Sequence, residues 1–485
     1  MSDPAAAERG PLAALAEMAL GHGRVWLVGG AVRDGLLGHS TTDYDVAVEG
    51  DAGALAKDLG RRAGGHAFPL SAEFGAWRVR SHAGDWQIDL TPLMGETLEQ
   101  DLRRRDLTVN AIARELTPGG GTLVDPYGGV ADIAARRLRG VGPESFSADP
   151  LRVLRLARMA AALGFTPERE TQRLATAAAP GLATVAAERV FNELRLILSS
   201  PGAADGIELA CRVGATAVVL PELDALRGVE QSDYHHLDVY EHTLATLREV
   251  TSLARDPAAR FDGLGPALAA VLAEPLANEL SRGQALGFGA LMHDIAKPLT
   301  RAVTAEGRPT FFDHDLRGAE LATTILTRLR ASERLTTFVA ALTRQHLRLG
   351  FLVHERPLAR RTVYHYLQRC EPVVVDVIVL SVADRLATRG RNAERAVSSH
   401  LELACELLPD ALAWHRQRPR SPVAGDELAR QLGITPGPAL GALLAELTEA
   451  AWAGELDGSA ALRAHARAWL ARDAGAAARA APRAR

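Results

Sequence analysis

The chain has 485 residues, 47% hydrophobic and 24% charged, with a formal net charge of −4. That is length for about three domains with sizeable cores, and it excludes a disordered chain and a globally basic nucleic-acid binder. Three cysteines without CxxC spacing exclude a disulfide framework or zinc knuckle, and an acidic start with no long uncharged apolar run argues for a cytoplasmic protein with no membrane partner.

Residues 1–140 mix strand and helix character. RVWLV (24–28), DYDVAVE (43–49), AWRVRS (76–81) and WQIDL (86–90) read as strands, and 31–37 and 52–63 as helices. Within this region, LVGGAVRDGLLGHSTTDYDVAV places two features close together. Gly29 and Gly30 end an apolar strand and open a helix, where backbone N–H groups can approach phosphate oxygens. Arg33, one turn on, can add a bidentate phosphate contact. On the following strand Asp43 and Asp45 alternate with Tyr44, Val46 and Val48. Both carboxylates therefore share a face opposite the core, a seat for Mg2+. Either half alone is an ordinary turn or a solvated acidic pair; together they favour phosphate and metal chemistry. Asp89 in WQIDL can supply a third carboxylate or merely cap its strand.

From Asp149 onward strand character fades. DPLRVLRLARMAAALG has helical spacing, with Asp149 at the N-cap, Pro150 in the first turn and Gly164 as a stop. Arg152, Arg155 and Arg158 recur every third residue and form one stripe. Only Lys57 and Lys297 are lysines in this arginine-rich chain, so the stripe alone marks no more than a solvated face. Amphipathic helices follow almost to the end. Residues 255–266 read as a surface loop, and RDAGAAARAAPRAR (472–485) as a frayed or disordered tail.

These motifs together resemble the class II nucleotidyltransferases, the polymerase-β-like group of CCA-adding enzymes and bacterial poly(A) polymerases. After the glycine turn and the DYD strand, RRRDLTVNAIA (103–113) is similar to the family's second motif. DPYGGVADIAARRLR (125–139) resembles its flexible-loop and hinge region, ADPLRVLRLARMAA (148–161) its nucleobase-selecting helix, and ERVFNEL (188–194) its neck helix. The resemblance implies that Asp43 and Asp45 bind catalytic Mg2+, and that Gly29, Gly30 and Arg33 hold the triphosphate. It further implies that Arg105, with Asp106 and Asn110, contacts the nucleotide's sugar and phosphates. Asp149 and Arg152 would face the base edge, an acceptor beside a donor that can select a base without a template. Arg155 and Arg158 would support the phosphates or the stack. Ala148 stands where the family usually carries Glu, which leaves the switch from C to A open.

The body carries YHHLDVYEHTL (234–244), LMHDIAKP (291–298), FFDHDLRGAELA (311–322), TRQHLRLG (343–350) and SVADRLA (381–387). Imidazoles with carboxylates suit a divalent transition metal. The series resembles an HD phosphohydrolase domain, which implies His242, His293, Asp294 and Asp384 as metal ligands. His314 and His346 match extra histidines that hold a second metal or a phosphate in some members, and Lys297 follows the His-Asp pair as in HD-x-(G/A)-K-P sequences. His235, His236 and His354 match no motif.

The expected fold class is α+β: a polymerase-β-like nucleotidyltransferase head with a mixed sheet (1–140), an all-α neck (141–205), an all-α HD-type body (206–400) and a helical tail (401–485). The expected function is template-independent addition of C and A from CTP and ATP to the tRNA 3′ end. The HD domain is expected to hydrolyse RNA 3′ ends or cyclic nucleotides. Poly(A) polymerase, CC-only and A-only enzymes share the head and stay open. An HD phosphohydrolase with an RNA-binding head is the rival from another class, disfavoured because the Asp43–Asp45 pair is intact.

Overall fold

The head is built on strands β1 (Val25–Val28), β2 (Asp43–Val48), β3 (Gly65–Ser71), β4 (Ala76–Ser81), β5 (Gln87–Pro92), β6 (Ala113–Glu115) and β7 (Leu123–Val124). They form one seven-stranded sheet in the order β3-β4-β5-β2-β1-β6-β7. β2 and β5 run parallel; the other neighbours are antiparallel. Alternation divides the faces. Val46, Val48, Ile88 and Leu90 are buried on one face, beneath the Ala52–Ala63 helix, which packs on β3, β4 and β5. On the other face Ala47 joins Trp26, Val28, Leu102, Ala111 and Ala113 in a second core cluster. Asp43 and Asp45 continue that second face beyond the cluster.

The computed structural model describes residues 10–231, 236–388 and 393–480, and His235 lies outside them. Contacts divide the chain into two compact units, Met1–Pro221 and Glu222–Arg485. In the first, the helices Arg152–Leu163, Arg169–Ala178, Ala187–Leu198 and Ala203–Arg212 follow the sheet. The second is helical, interrupted by two short ladders, Pro275–Ala277 with Leu280–Ser281 and Ala302–Val303 with Pro309–Thr310.

Several expectations need correction. β3 was not expected as a strand; GHAFPLS contains Gly and Pro and lacks apolar alternation, which an edge strand tolerates. Residues 125–139 are not a flexible loop: Asp132 is fully buried and accepts from Thr108 Oγ1 at 2.6 Å, Arg137 Nε at 2.7 Å and Arg139 Nε at 2.9 Å. Asp149 does not cap its helix. The helix begins at Arg152, and the Asp149 carboxylate accepts from Leu151 N–H at 3.2 Å, within the preceding turn. Of the expected tail, residues 472–480 belong to the Gly458–Ala480 helix, alanine being the strongest helix former, and 481–485 lie outside the described residues. The Ala393–Arg416 helix also runs through the boundary expected at residue 400.

Candidate active site and metal centre

Strand register explains why the glycine turn and the aspartate pair meet. β1 pairs antiparallel with β2 so that Val28, the last residue before the turn, stands opposite Asp45. β6 lies on the other side of β1, and Gly29 N–H donates to Ile112 O at 3.1 Å. That bond draws the Thr108–Asn110 turn to the glycines. Gly29 has φ +73°, and a Cβ there would meet Arg105 Nη1 at 2.7 Å and Asp45 Oδ2 at 3.7 Å. Glycine is favoured by conformation, and a larger residue would also displace the Arg105 guanidinium from the cleft.

A cleft of about 580 Å3 opens at this point. It is lined by Gly29, Gly30, Arg33, Asp45, Arg105, Asp106, Asn110, Arg152, Arg155 and Arg158, all expected from sequence, and by Met94, Asp101, Arg104 and Met159, which were not. Asp43 lies two residues from Asp45 on the same strand face, where Gln87 Nε2 donates to its Oδ1 at 3.0 Å. Asp89 pairs in register with Asp45, but the Arg78 guanidinium grips it at 2.6 and 2.7 Å. It is thereby neutralised, and the pair at 43 and 45 carries the free negative charge. Asp45 reaches solvent, yet desolvation on its cleft side, opposed by Arg105 and reinforced by Asp43 and Asp89, raises its pKa. Crowded carboxylates of this kind are relieved by a bound cation, so they fit a hard divalent ion.

The cationic wall is held by a chain of contacts. Arg33 Nη1 donates to Asn110 Oδ1 at 2.6 Å, and Asn110 Nδ2 donates to Asp106 Oδ1 at 3.0 Å. Asp106 is buried. Burial pushes its pKa up, but Arg155, Asn110 and the Leu107 N–H outweigh that and hold it below the usual carboxylate range. Arg155 and Arg158 converge on Glu193 of the Ala187–Leu198 helix, at 3.5 and 2.8 Å. Glu193 was missed as a site residue, although it lies within ERVFNEL. Its signal was a carboxylate on the core-facing side of a helix. Arg152 donates to the carbonyls of Ser145 at 2.9 Å and Arg104 at 2.6 Å, while Asp149 accepts from Arg189 at 2.9 Å. Asp149 and Arg152 thus share a turn but are each engaged elsewhere. The Nε groups of Arg105 and Arg152 are buried with no hydrogen-bond partner, donors left for an anionic ligand.

The second unit brings its six expected ligands together. Asp294 stands at the centre. Its Oδ2 is 3.2 Å from His293 Nε2 and 3.8 Å from His242 Nε2, and its Oδ1 is 3.3 Å from His314 Nε2 and 3.8 Å from His346 Nε2. Asp384 Oδ1 lies 2.9 Å from His242 Nε2. The Nδ1 atoms of His293, His314 and His346 face the carbonyls of Ala290, Phe311 and Thr343 at 2.8, 2.7 and 2.6 Å. A proton on Nδ1 leaves each Nε2 with an inward lone pair, the tautomer of metal-bound histidine. Nε2 of His293 and of His314 are buried without a hydrogen-bond partner, so the site fits two ions flanking Asp294. Burial, with His293 adjacent, pushes His346 down to about 4. Lys297 Nζ sits 2.7 Å from Asp294 Oδ2 and 2.6 Å from Gln231 Oε1. The helices are clamped by a buried pair: Arg282, opening the helix that ends just before His293, meets Asp376, opening the Asp384-bearing helix, with Nε at 3.0 Å. His236 and His354 are exposed and belong to neither candidate metal group.

Sheet, cleft and histidine cluster together define a nucleotidyltransferase-type head joined to an HD-type centre, and known proteins agree. Residues 25–139 match the poly A polymerase head domain, 164–227 the RNA- and SrmB-binding region of polymerase A, and 239–389 the HD domain. The chain is 39% identical over 450 residues to the A-adding tRNA nucleotidyltransferase of Deinococcus radiodurans, covering 91% of this chain and 95% of that one. It is 37% identical over 449 residues to the CC-adding tRNA nucleotidyltransferase of Thermus thermophilus, covering 91% and 92%. The Thermotoga maritima CCA-adding enzyme solved with tRNA shares the fold, with a TM-score of 0.64 at 21% identity, covering 96% of each chain. The chain belongs to the tRNA nucleotidyltransferase family. Among the described residues no helix is long and apolar enough to cross a membrane.

Proposed function

We propose that the first unit adds C and A from CTP and ATP to the 3′ end of tRNA, releasing pyrophosphate. The observation that carries this reading is the cleft itself, where a left-handed glycine turn, an aspartate pair and an arginine wall meet. The Gly29–Gly30 turn, Arg33 and Arg105 would hold the triphosphate, and Asp106 and Asn110 would keep Arg33 and Arg155 aligned with it. The RNA 3′-hydroxyl attacks the α-phosphate in line, and positioning with charge neutralisation supplies most of the rate. Mg2+ held by Asp43 and Asp45 would add charge neutralisation at the attacking and leaving oxygens. Asp149 and Arg152 would read the base once released from Arg189 and from the Ser145 and Arg104 carbonyls. We divide the unit into a head at 1–140 and a neck at 141–205, and place the protein in the cytoplasm, where its free cysteines stay reduced.

The second unit would bind two divalent transition metal ions, one by His242, His293, Asp294 and Asp384, the other by Asp294, His314 and His346. It would hydrolyse phosphate esters at RNA 3′ ends or in cyclic nucleotides. A narrower first activity, A-only addition, is favoured by the Deinococcus relative. Transcripts ending before C, after CC and after CCA, each offered labelled CTP or ATP, separate the two. Label from CTP on the first transcript and from ATP on the second supports CCA addition; ATP label on the CC transcript alone supports the A-only enzyme.

A further inference from the structure

We propose that Phe312 is a stacking platform for the base of the nucleotide or RNA 3′ end bound at the histidine–aspartate centre. The inference rests on the HD reading above and adds to it the residue that holds the base. Phe312 is 79% exposed, more than Phe351 at 59%, whereas Phe261, Phe288 and Phe338 of the same unit are at 2% or less. It sits on the connection between two parts of the metal centre. That connection leaves the Lys297–Thr300 helix, passes through the Ala302–Val303 and Pro309–Thr310 hairpin, and enters the His314–Arg328 helix. Both ends are anchored on Asp294, through Lys297 Nζ at 2.7 Å and His314 Nε2 at 3.3 Å. Phe312 is two residues before His314, so its backbone lies within about 7 Å of that ligand's.

The neighbouring residues fix how it is presented. Phe311 turns inward, half-buried, its ring 5.4 Å from Lys297 Nζ and its carbonyl facing His314 Nδ1 at 2.7 Å. Asp313 adopts φ +60°, a left-handed backbone that a non-glycine residue takes at a cost and that recurs at functional turns. The turn that sets the metal ligand therefore also leaves Phe312 in solvent. Leu299 and Val303 on the same connection are also exposed, at 63% and 54%. Metal ions and Lys297 suit a phosphate; an exposed flat ring two residues from the His314 ligand suits a base, and stacking tolerates any base identity. A nucleotide carries both groups.

The test uses the full chain loaded with Mn2+. Binding of adenosine 2′-monophosphate and of glycerol 2-phosphate is measured by calorimetry. Hydrolysis is followed for 2′,3′-cyclic AMP and for an RNA oligonucleotide ending in a 2′,3′-cyclic phosphate. Phe312→Ala is expected to raise Kd and KM for the nucleotides about tenfold with kcat nearly unchanged. Glycerol 2-phosphate binding should not move, and Phe312→Tyr should restore the nucleotide values. An effect shared by mononucleotide and oligonucleotide assigns the platform to free nucleotides, and one confined to the oligonucleotide assigns it to RNA 3′ ends. Nucleotide binding and turnover unchanged in Phe312→Ala, or equal losses for nucleotide and glycerol 2-phosphate, would overturn the proposal. A wild type that binds and hydrolyses none of these esters, matching His293→Ala, would overturn the HD reading beneath it. Incorporation by the first unit, unchanged in each variant, reports that the first unit is folded, and unchanged glycerol 2-phosphate binding in Phe312→Ala reports that the second is.

Discussion

Glu193 is the buried counter-charge of the arginine stripe, facing Arg155 and Arg158 from the adjacent helix. Replacing it by Gln keeps the shape but removes the charge that holds two guanidinium groups in place. Glu193→Gln is expected to raise KM for CTP and ATP alike by about tenfold, and steady-state kinetics with each nucleotide checks it. Asp132 acts on stability instead. Burial raises its pKa, but Thr108, Arg137 and Arg139 outweigh this and hold the carboxyl below its ordinary value. Asp132→Asn should cost about 2 kcal/mol at pH 7, mostly from Thr108 and the better-covered Arg139, since Arg137 is half exposed. A depressed carboxylate stabilises above its unfolded pKa of about 3.9 and loses that contribution as pH falls through the folded value. The gap between wild type and variant in urea denaturation should therefore close below about pH 4.

At the scale of elements, the site depends on how closely the turn carrying Asn110 packs. A Cβ on Gly129 would lie 2.1 Å from Thr108 O, and a backbone atom has no room to yield cheaply. Gly129→Ala should push the Thr108–Asn110 turn away from Arg33, lowering kcat/KM for incorporation at least tenfold and lowering Tm. Unchanged kinetics would show that Asn110 is not held by this packing. Much of this scale was legible in the sequence. The strands at β1, β2, β4 and β5 alternate or are β-branched, and the glycine turn with DYD marked the cleft before any coordinates. What was hidden had physical reasons. β6 is only three residues long, too short for a period, and Arg104 and Asp101 reach the cleft through tertiary packing. Asp149 reads as an N-cap, yet the turn before Arg152 takes its hydrogen bond instead. The histidine centre joins residues as far apart as 242 and 384; no local pattern connects them, and only the family resemblance did.

At the scale of the whole molecule, the two proposed chemistries fall in two compact units, each with its own charged cluster and its own packing. In the proposed reading, nucleotide transfer belongs to the Asp43–Asp45 strand, and the histidine cluster would serve a separate hydrolysis. The most direct test is incorporation of label from α-labelled CTP into a tRNA transcript lacking its 3′ CCA, comparing wild type, Asp45→Asn and His293→Ala. The expected result is a loss of at least about a hundredfold for Asp45→Asn and wild-type incorporation for His293→Ala. Incorporation within a few-fold of wild type in Asp45→Asn, with the protein folded and the transcript intact, would contradict it.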